Sequence, residues 1–354
     1  MWMAANAKRS CIVIIKNSTI EYFSRNVGIT VKNQPNPLEH KPASAQGFSY
    51  HLQSLQHAWF NIPPNIRGAL WVTLGALGVT SMYAVAKSFE GKFDTLQITF
   101  YRSIVGFVCV LIIFAFSRQG FRAVKTSQLK MHSLRSISGL SAMFCGFYAA
   151  THMPLAEATT IAFTSPLFVT VLAIFFLAEN VQMWRWAATG VGFIGVIIVM
   201  RPGENGLSDA ALVALLGAFL AASTLILIKK LPLHESPYVM LFYFGLIATL
   251  ILLPFTLSVW KTPTLWESTL MVIGGLLGSL GQLGFVLGYR VGVASAIAPF
   301  DYSRLLFAGI IGAIFFHEYP DTIGLLGASV IVGSTLYIAR REQKSKTALT
   351  ETEA

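Results

Sequence analysis

Residues 69–87 read ALWVTLGALGVTSMYAVAK, and residues 211–229 read ALVALLGAFLAASTLILIK. Each stretch, wound as a helix rising 1.5 Å per residue, reaches across about 30 Å of hydrocarbon. Aligned at an offset of 142, Ala69, Leu70, Leu74, Gly75, Ala76, Ser81 and Lys87 fall on Ala211, Leu212, Leu216, Gly217, Ala218, Ser223 and Lys229. The same offset carries Phe100-Tyr101 onto Phe242-Tyr243, and Gly139 and Gly146 onto Gly281 and Gly288. At offset 139, Leu167-Phe168, Phe176, Glu179, Val191 and Arg201 fall on Leu306-Phe307, Phe315, Glu318, Val330 and Arg340. Chance identity between two strings rich in Leu, Gly and Ala would not keep its order and spacing over such a length. The chain reads as a duplication.

Composition fixes the medium. Of 354 residues, 54% are hydrophobic and 12% charged, against about 25% charged in soluble domains. Apolar segments follow one another at 68–86, 96–116, 136–153, 156–178, 184–200, 209–228, 237–259, 268–288, 293–316 and 322–339. Helices are the economical way to cross lipid, because they satisfy their own backbone hydrogen bonds. The expected fold is an all-α membrane protein of ten transmembrane helices. Five is odd, so the second unit enters from the opposite side, giving two inverted five-helix repeats over 68–200 and 209–339.

The basic residues set the orientation. With the N-terminus in the cytoplasm, twenty of the 26 Lys and Arg lie inside, four lie outside, and Arg102 and Arg304 lie within spans. This bias predicts both termini cytoplasmic and a multi-pass protein of the inner membrane. It also accounts for the net charge of +10, which removes the case for a nucleic-acid partner. Residues 1–67 are a basic, poorly ordered cytoplasmic tail, or in part the product of an upstream start codon, and 340–354 form a second cytoplasmic tail. Cys11, Cys109 and Cys145 have neither metal-ligand nor disulfide spacing, so no metal and no cofactor is expected.

The stretch Ala158…Phe163-Thr164-Ser165-Pro166, ending in Phe176-Leu177-Ala178-Glu179 and followed by a Gly-rich span, has a counterpart in Phe315-Phe316-His317-Glu318, again before a Gly-rich span. With the 5+5 layout, this resembles the drug/metabolite transporter superfamily, in particular its ten-helix members with two EamA-type domains. The resemblance covers roughly 68–340. It implies a secondary transporter moving a small organic metabolite by alternating access, as an uptake or efflux carrier. A vitamin or aromatic or anionic metabolite such as riboflavin is one substrate class. Amino acids, amines or drugs for export, or S-adenosylmethionine for uptake, are the alternatives. One departure concerns the ninth span, where Leu305 stands at the place matching Pro166 and a proline comes earlier, at Pro299.

Polar residues inside spans are functional candidates by default, since an Arg at mid-helix costs roughly 2.5–3.5 kcal/mol on insertion scales. Arg102 and Arg304 are candidates for substrate contact. Asp301, one turn before Arg304 on the same face, is the proton-coupling candidate. Pro166 and Pro299 are expected to break their helices near the midplane. Thr160 and Thr164, Tyr148, Tyr289, Tyr302 and Gln282 complete the expected lining. The expected partners are a small-molecule substrate, membrane lipid and protons, and a homodimer is a compatible assembly.

Other classes fare worse. An intramembrane enzyme needs paired aspartates, a Ser/His pair or HExxH within spans, and the sequence has none of these. A non-transporting scaffold or receptor leaves the repeat and the central charges unexplained. A nucleotide-driven pump would need a P-loop.

Overall fold

The computed structural model describes residues 62–116, 124–177, 183–200, 208–230, 237–291 and 297–352. Residues 1–61 of the expected N-terminal tail, Glu179 and Arg201 lie outside the described residues. Those described are helical, without a strand among them. In chain order the helices are α1 (Pro64–Lys87), α2 (Thr95–Phe116), α3 (Leu129–His152), α4 (Leu155–Ala162), α5 (Ser165–Leu177), α6 (Met183–Met200), α7 (Asp209–Lys230), α8 (Pro237–Ser258), α9 (Leu265–Val291), α10 (Ser303–Phe316) and α11 (Thr322–Thr352). A one-turn 3-10 helix, Ala298–Tyr302, leads into α10.

Six stretches are long and apolar enough to cross a membrane: Pro64–Lys87, Thr95–Ala115, Leu155–Ala173, Asp209–Ile228, Tyr238–Ser258 and Leu265–Tyr289. Trp186–Met200 and Thr322–Ile338 are shorter apolar helices. Large apolar side chains such as Leu74, Ile112, Leu250 and Leu306 point outward. Helices apolar on every side belong in lipid.

The long span Leu155–Ala173 is bent in two. Phe163 and Thr164 form a turn between α4 and α5, in which Thr164 N–H donates to the Ile161 carbonyl at 2.9 Å and Leu167 N–H to that of Thr164 at 2.9 Å. Pro166 stands second in α5, where its missing N–H costs nothing. Pro299 takes the corresponding early place in the 3-10 helix before α10.

Small residues let the helices meet backbone to backbone. A methyl group on Gly281 of α9 would lie 2.8 Å from Val79 N and 2.9 Å from Gly75 O of α1, and one on Gly284 would lie 2.9 Å from Trp71 O. α6 and α11 meet in the same way, since a methyl on Gly195 would lie 3.0 Å from Gly327 O and one on Gly327 would lie 2.9 Å from Gly195 O. α2 packs on α8, α3 on α7, and α4 with α10. Each of these pairs joins a helix before residue 201 to one after 208.

Two boundaries differ from the sequence reading. α3 begins at Leu129 rather than at 136, which carries Lys130, His132 and Arg135 into the helix. α11 runs on for 31 residues to Thr352, through the expected tail.

Candidate functional site

One end of the bundle is tied together by a lysine. The Lys87 ammonium, at the end of α1, donates to the carbonyls of Ala150 at 3.3 Å and Met153 at 2.9 Å. It pairs with Glu318 Oε1 at 2.8 Å, with its side chain only 5% exposed. Its three N–H donors thus serve the end of α3 and the residue following α10. His317 ends α10 in the left-handed region with φ 56°, and Glu318 N–H turns back to the Gly312 carbonyl at 3.0 Å. That turn aims Glu318 inward, where Oε2 accepts the Leu155 N–H at 2.9 Å and so caps α4. Four helix ends converge on two side chains.

Beneath this closure lies a cavity of about 410 Å³, within the range of small-molecule sites. Its wall starts at Ala150 and Leu155, next to the Lys87 cluster, and runs along α3 and α7 to Arg135 and Thr224. α1 contributes Val79, Thr80 and Tyr83, α9 contributes Gln282, and α10 contributes Arg304. Among the described residues, two arginines and no carboxylate line it.

The two helix breaks meet at Arg304. Its guanidinium donates to Asp301 Oδ2 at 2.7 Å, lies 4.7 Å from the centroid of the Phe163 ring and 5.8 Å from that of Phe285. The Tyr302 ring leans on Phe163 at 4.8 Å, and its hydroxyl shares a hydrogen bond with Thr335 Oγ1. A partly exposed cation over an aromatic face gains about 0.5–1 kcal/mol. Asp301 Oδ1, Ser303 Oγ and Arg304 Nε are buried without a hydrogen-bond partner among the described residues, so this corner retains hydrogen-bonding capacity.

The structure gathers some of the expected residues and scatters others. Asp301, Tyr302 and Arg304 form one cluster, and Gln282 shares its cavity wall with Arg304. Arg102 does not reach the wall. It lies behind Gln282 and donates to Gln282 Oε1 at 3.2 Å. Thr160 and Thr164 are buried and donate to their own helix, to Ala156 O at 2.8 Å and Ile161 O at 2.7 Å. The cavity meets Thr159 and Ser165 instead, one position away on a helix that advances about 100° per residue. Tyr148 stacks on His152, with centroids 4.1 Å apart. Tyr289 is 44% exposed and stands two turns beyond Gln282, outside the wall.

Sequence reasoning passed over Tyr83, Arg135 and the Lys87–Glu318 pair. Arg135 was assigned to a loop because the apolar run starts after it. It instead donates to Met240 O at 3.3 Å and lies 5.2 Å over the Phe244 ring. For Lys87 and Glu318 a signal existed, since both recur in the repeat, at Lys229 and Glu179.

Both halves of the chain have known relatives. A model of the EamA-like transporter family matches residues 66–201 and again 209–340. An S-adenosylmethionine uptake transporter of Rickettsia bellii is 31% identical over 78% of this chain and 95% of its own length. A riboflavin transporter of Vibrio cholerae is 31% identical over 79% of this chain and 95% of its own. A pseudopaline exporter of Pseudomonas aeruginosa is 29% identical over 78% and 97%. One solved structure, 19% identical, superposes with a TM-score of 0.51 over 77% of this chain and 98% of its own, a likeness of fold.

Proposed function

The chain belongs to the EamA-like transporter family, and from that premise we propose that it takes up a small heteroaromatic metabolite bearing a carboxylate or ring carbonyls. It is a multi-pass membrane transporter rather than an enzyme. The observation that carries the substrate class is the cavity wall, which offers Arg304, Arg135 and the Gln282 amide as donors, and no carboxylate. Tyr83 and Phe244 in the wall, with Phe163 and Phe285 against Arg304, favour a flat ring. S-adenosylmethionine and riboflavin, for which relatives are named, both combine such a ring with acceptor groups.

We place ten spans in the bilayer as two inverted repeats over 68–200 and 209–339, with both termini in the cytoplasm. The Lys87–Glu318 cluster then closes the outer end. Asp301 couples transport to protons by charge balance. A substrate anion that takes Arg304 displaces Asp301, and a lone buried carboxylate is strongly unfavourable. A proton on Asp301 removes that penalty, so anion and proton move together.

The test is flux of labelled S-adenosylmethionine and riboflavin into vesicles under an imposed pH gradient. Saturable, gradient-driven uptake of at least one is expected, and Asp301→Asn is expected to retain exchange while losing accumulation. Vesicles that concentrate only basic amines would sink the substrate class. Accumulation by Asp301→Asn at the wild-type level would sink the coupling.

A further inference from the structure

Arg102 is a buried guanidinium with no acidic partner among the described residues. It enters between α1 and α9 from the middle of α2, 8% exposed. Two glycines make its channel. A methyl on Gly106 would lie 2.5 Å from Nη1, and one on Gly278 would lie 2.6 Å from Nε. Nε faces the Met82 sulfur at 3.2 Å, and Nη2 reaches Gln282 Oε1 at 3.2 Å. Arg102 is absent from the wall of the large cavity, while Gln282 is part of it.

An arginine has only donors, so it can be met by the oxygen of an amide and not by its nitrogen. That settles which way the Gln282 amide points. Its oxygen is held toward Arg102, and its NH2 is turned away from the guanidinium. The positive charge behind the amide also polarises its N–H bonds, as in other hydrogen-bond chains. Phe285, against which Arg304 lies, is three residues from Gln282 and hence a neighbour on the same face of α9.

From this arrangement we infer that Gln282 is the specificity-determining contact of the cavity and Arg102 its positioning residue: together they present a fixed pair of N–H donors that reads a carboxylate or carbonyl oxygen of the substrate. The inference rests on the substrate class proposed above and deepens it. An amide free to flip would accept a donor or an acceptor equally. One locked by Arg102 discriminates against substrates that lack the acceptor.

The experiment compares S-adenosylmethionine with its decarboxylated analogue, which differs by the carboxylate alone. Full-length protein in proteoliposomes is assayed as wild type, Gln282→Glu, Arg102→Lys and Arg102→Met. Gln282→Glu keeps the size and pairs with Arg102 but offers no N–H. The apparent KM for S-adenosylmethionine is expected to rise about tenfold or more, as fits a lost hydrogen bond to a charged group. Its maximal rate and the KM of the analogue are expected to change little. Arg102→Met is expected to lose most of the discrimination and Arg102→Lys, which keeps a donor for Oε1, to retain it. A second readout needs no substrate: Gln282→Glu is expected to raise the melting temperature in detergent when Arg102 is present and lower it in Arg102→Met. Equal KM changes for both probes, or none for either, would overturn the role of Gln282. Equal melting shifts in the two backgrounds would overturn the positioning by Arg102. Wild-type vesicles that move neither S-adenosylmethionine nor riboflavin would overturn the substrate class and, with it, this inference.

Discussion

Two helix pairs hold equivalent places in the sequence repeat, and they pack differently. α1 lies against α9, and their counterparts α7 and α3 lie against each other. Gly75 and Gly281 meet backbone to backbone, a methyl on Gly75 falling 2.9 Å from Gly281 O. Their counterparts Gly217 and Gly139 both line the cavity, although a methyl on Gly217 would still lie 2.8 Å from Cys145 Cβ of α3. A methyl on Gly139 would find only side-chain atoms, Phe244 Cε2 at 3.3 Å and Thr224 Cγ2 at 3.6 Å. A methyl on Gly288 would lie 2.9 Å from Gly68 O, whereas one on its counterpart Gly146 would meet the Tyr83 hydroxyl at 2.7 Å. The same small residues thus make a dry seam in one pair and a cavity wall in the other. Glycine spacing therefore permits close approach of two helices without specifying which pair makes a seam and which a cavity wall.

The largest effect that tests this contrast comes from filling the seam. Gly281→Val has no space on the backbone of α1, and overpacking of this kind costs about 1–3 kcal/mol or more. Most of the protein is expected to be lost from the monodisperse peak in fluorescence-detected size exclusion. Gly139→Val is expected to keep that peak and lose flux, since its side chain enters the cavity. Identical behaviour of the two variants would erase the contrast between the pairs.

The next effect is at the tied end. Lys87→Met leaves Glu318 and two helix-end carbonyls without their cation, and breaking a buried pair costs about 3 kcal/mol. A cysteine at Ala149, in a background without native cysteines, is expected to react at least tenfold faster with an impermeant maleimide added from outside. Exchanging the charges, Lys87→Glu with Glu318→Lys, is not expected to restore closure. A carboxylate cannot donate to the Ala150 and Met153 carbonyls. Full restoration would mean that the ion pair alone closes this end.

A third effect concerns the central pair. Asp301→Asn with Arg304→Gln is expected to insert normally and transport at least tenfold more slowly, by the loss of charge-assisted hydrogen bonds worth about 1.5–3 kcal/mol. Near-normal flux in vesicles, scaled to inserted protein, would make the pair purely structural. The smallest effect is Gly139→Ala, where the Phe244 ring can shift by a few tenths of an ångström. Flux is expected within about twofold of wild type, since a change this mild costs well under 1 kcal/mol.

Most helices were legible because lipid demands long apolar runs and charged residues interrupt them. The break in the fourth span was legible from Pro166. Side-chain facing was harder to read. In a soluble helix the apolar stripe identifies the buried side, but here α1 and α7 are apolar all round and no stripe marks the cavity. That is why the sequence points to Thr160, while the cavity meets Thr159, one residue away. Arg102 was read as a substrate contact because burial of a charge signals function without saying what it touches. The Lys87–Glu318 contact joins residues far apart in sequence, and each alone reads as an ordinary helix end.

The length of α11 has a practical consequence. About twenty residues suffice to cross the hydrocarbon, so the 31 residues of α11 exceed a crossing by about a third of their length while remaining helical, with Arg340, Arg341, Lys344 and Lys346 in that last third. A helical protein joined in register beyond Thr352 would be carried as a rigid extension. It would give single-particle imaging an orientation mark on a molecule whose mass is otherwise hidden in its detergent belt.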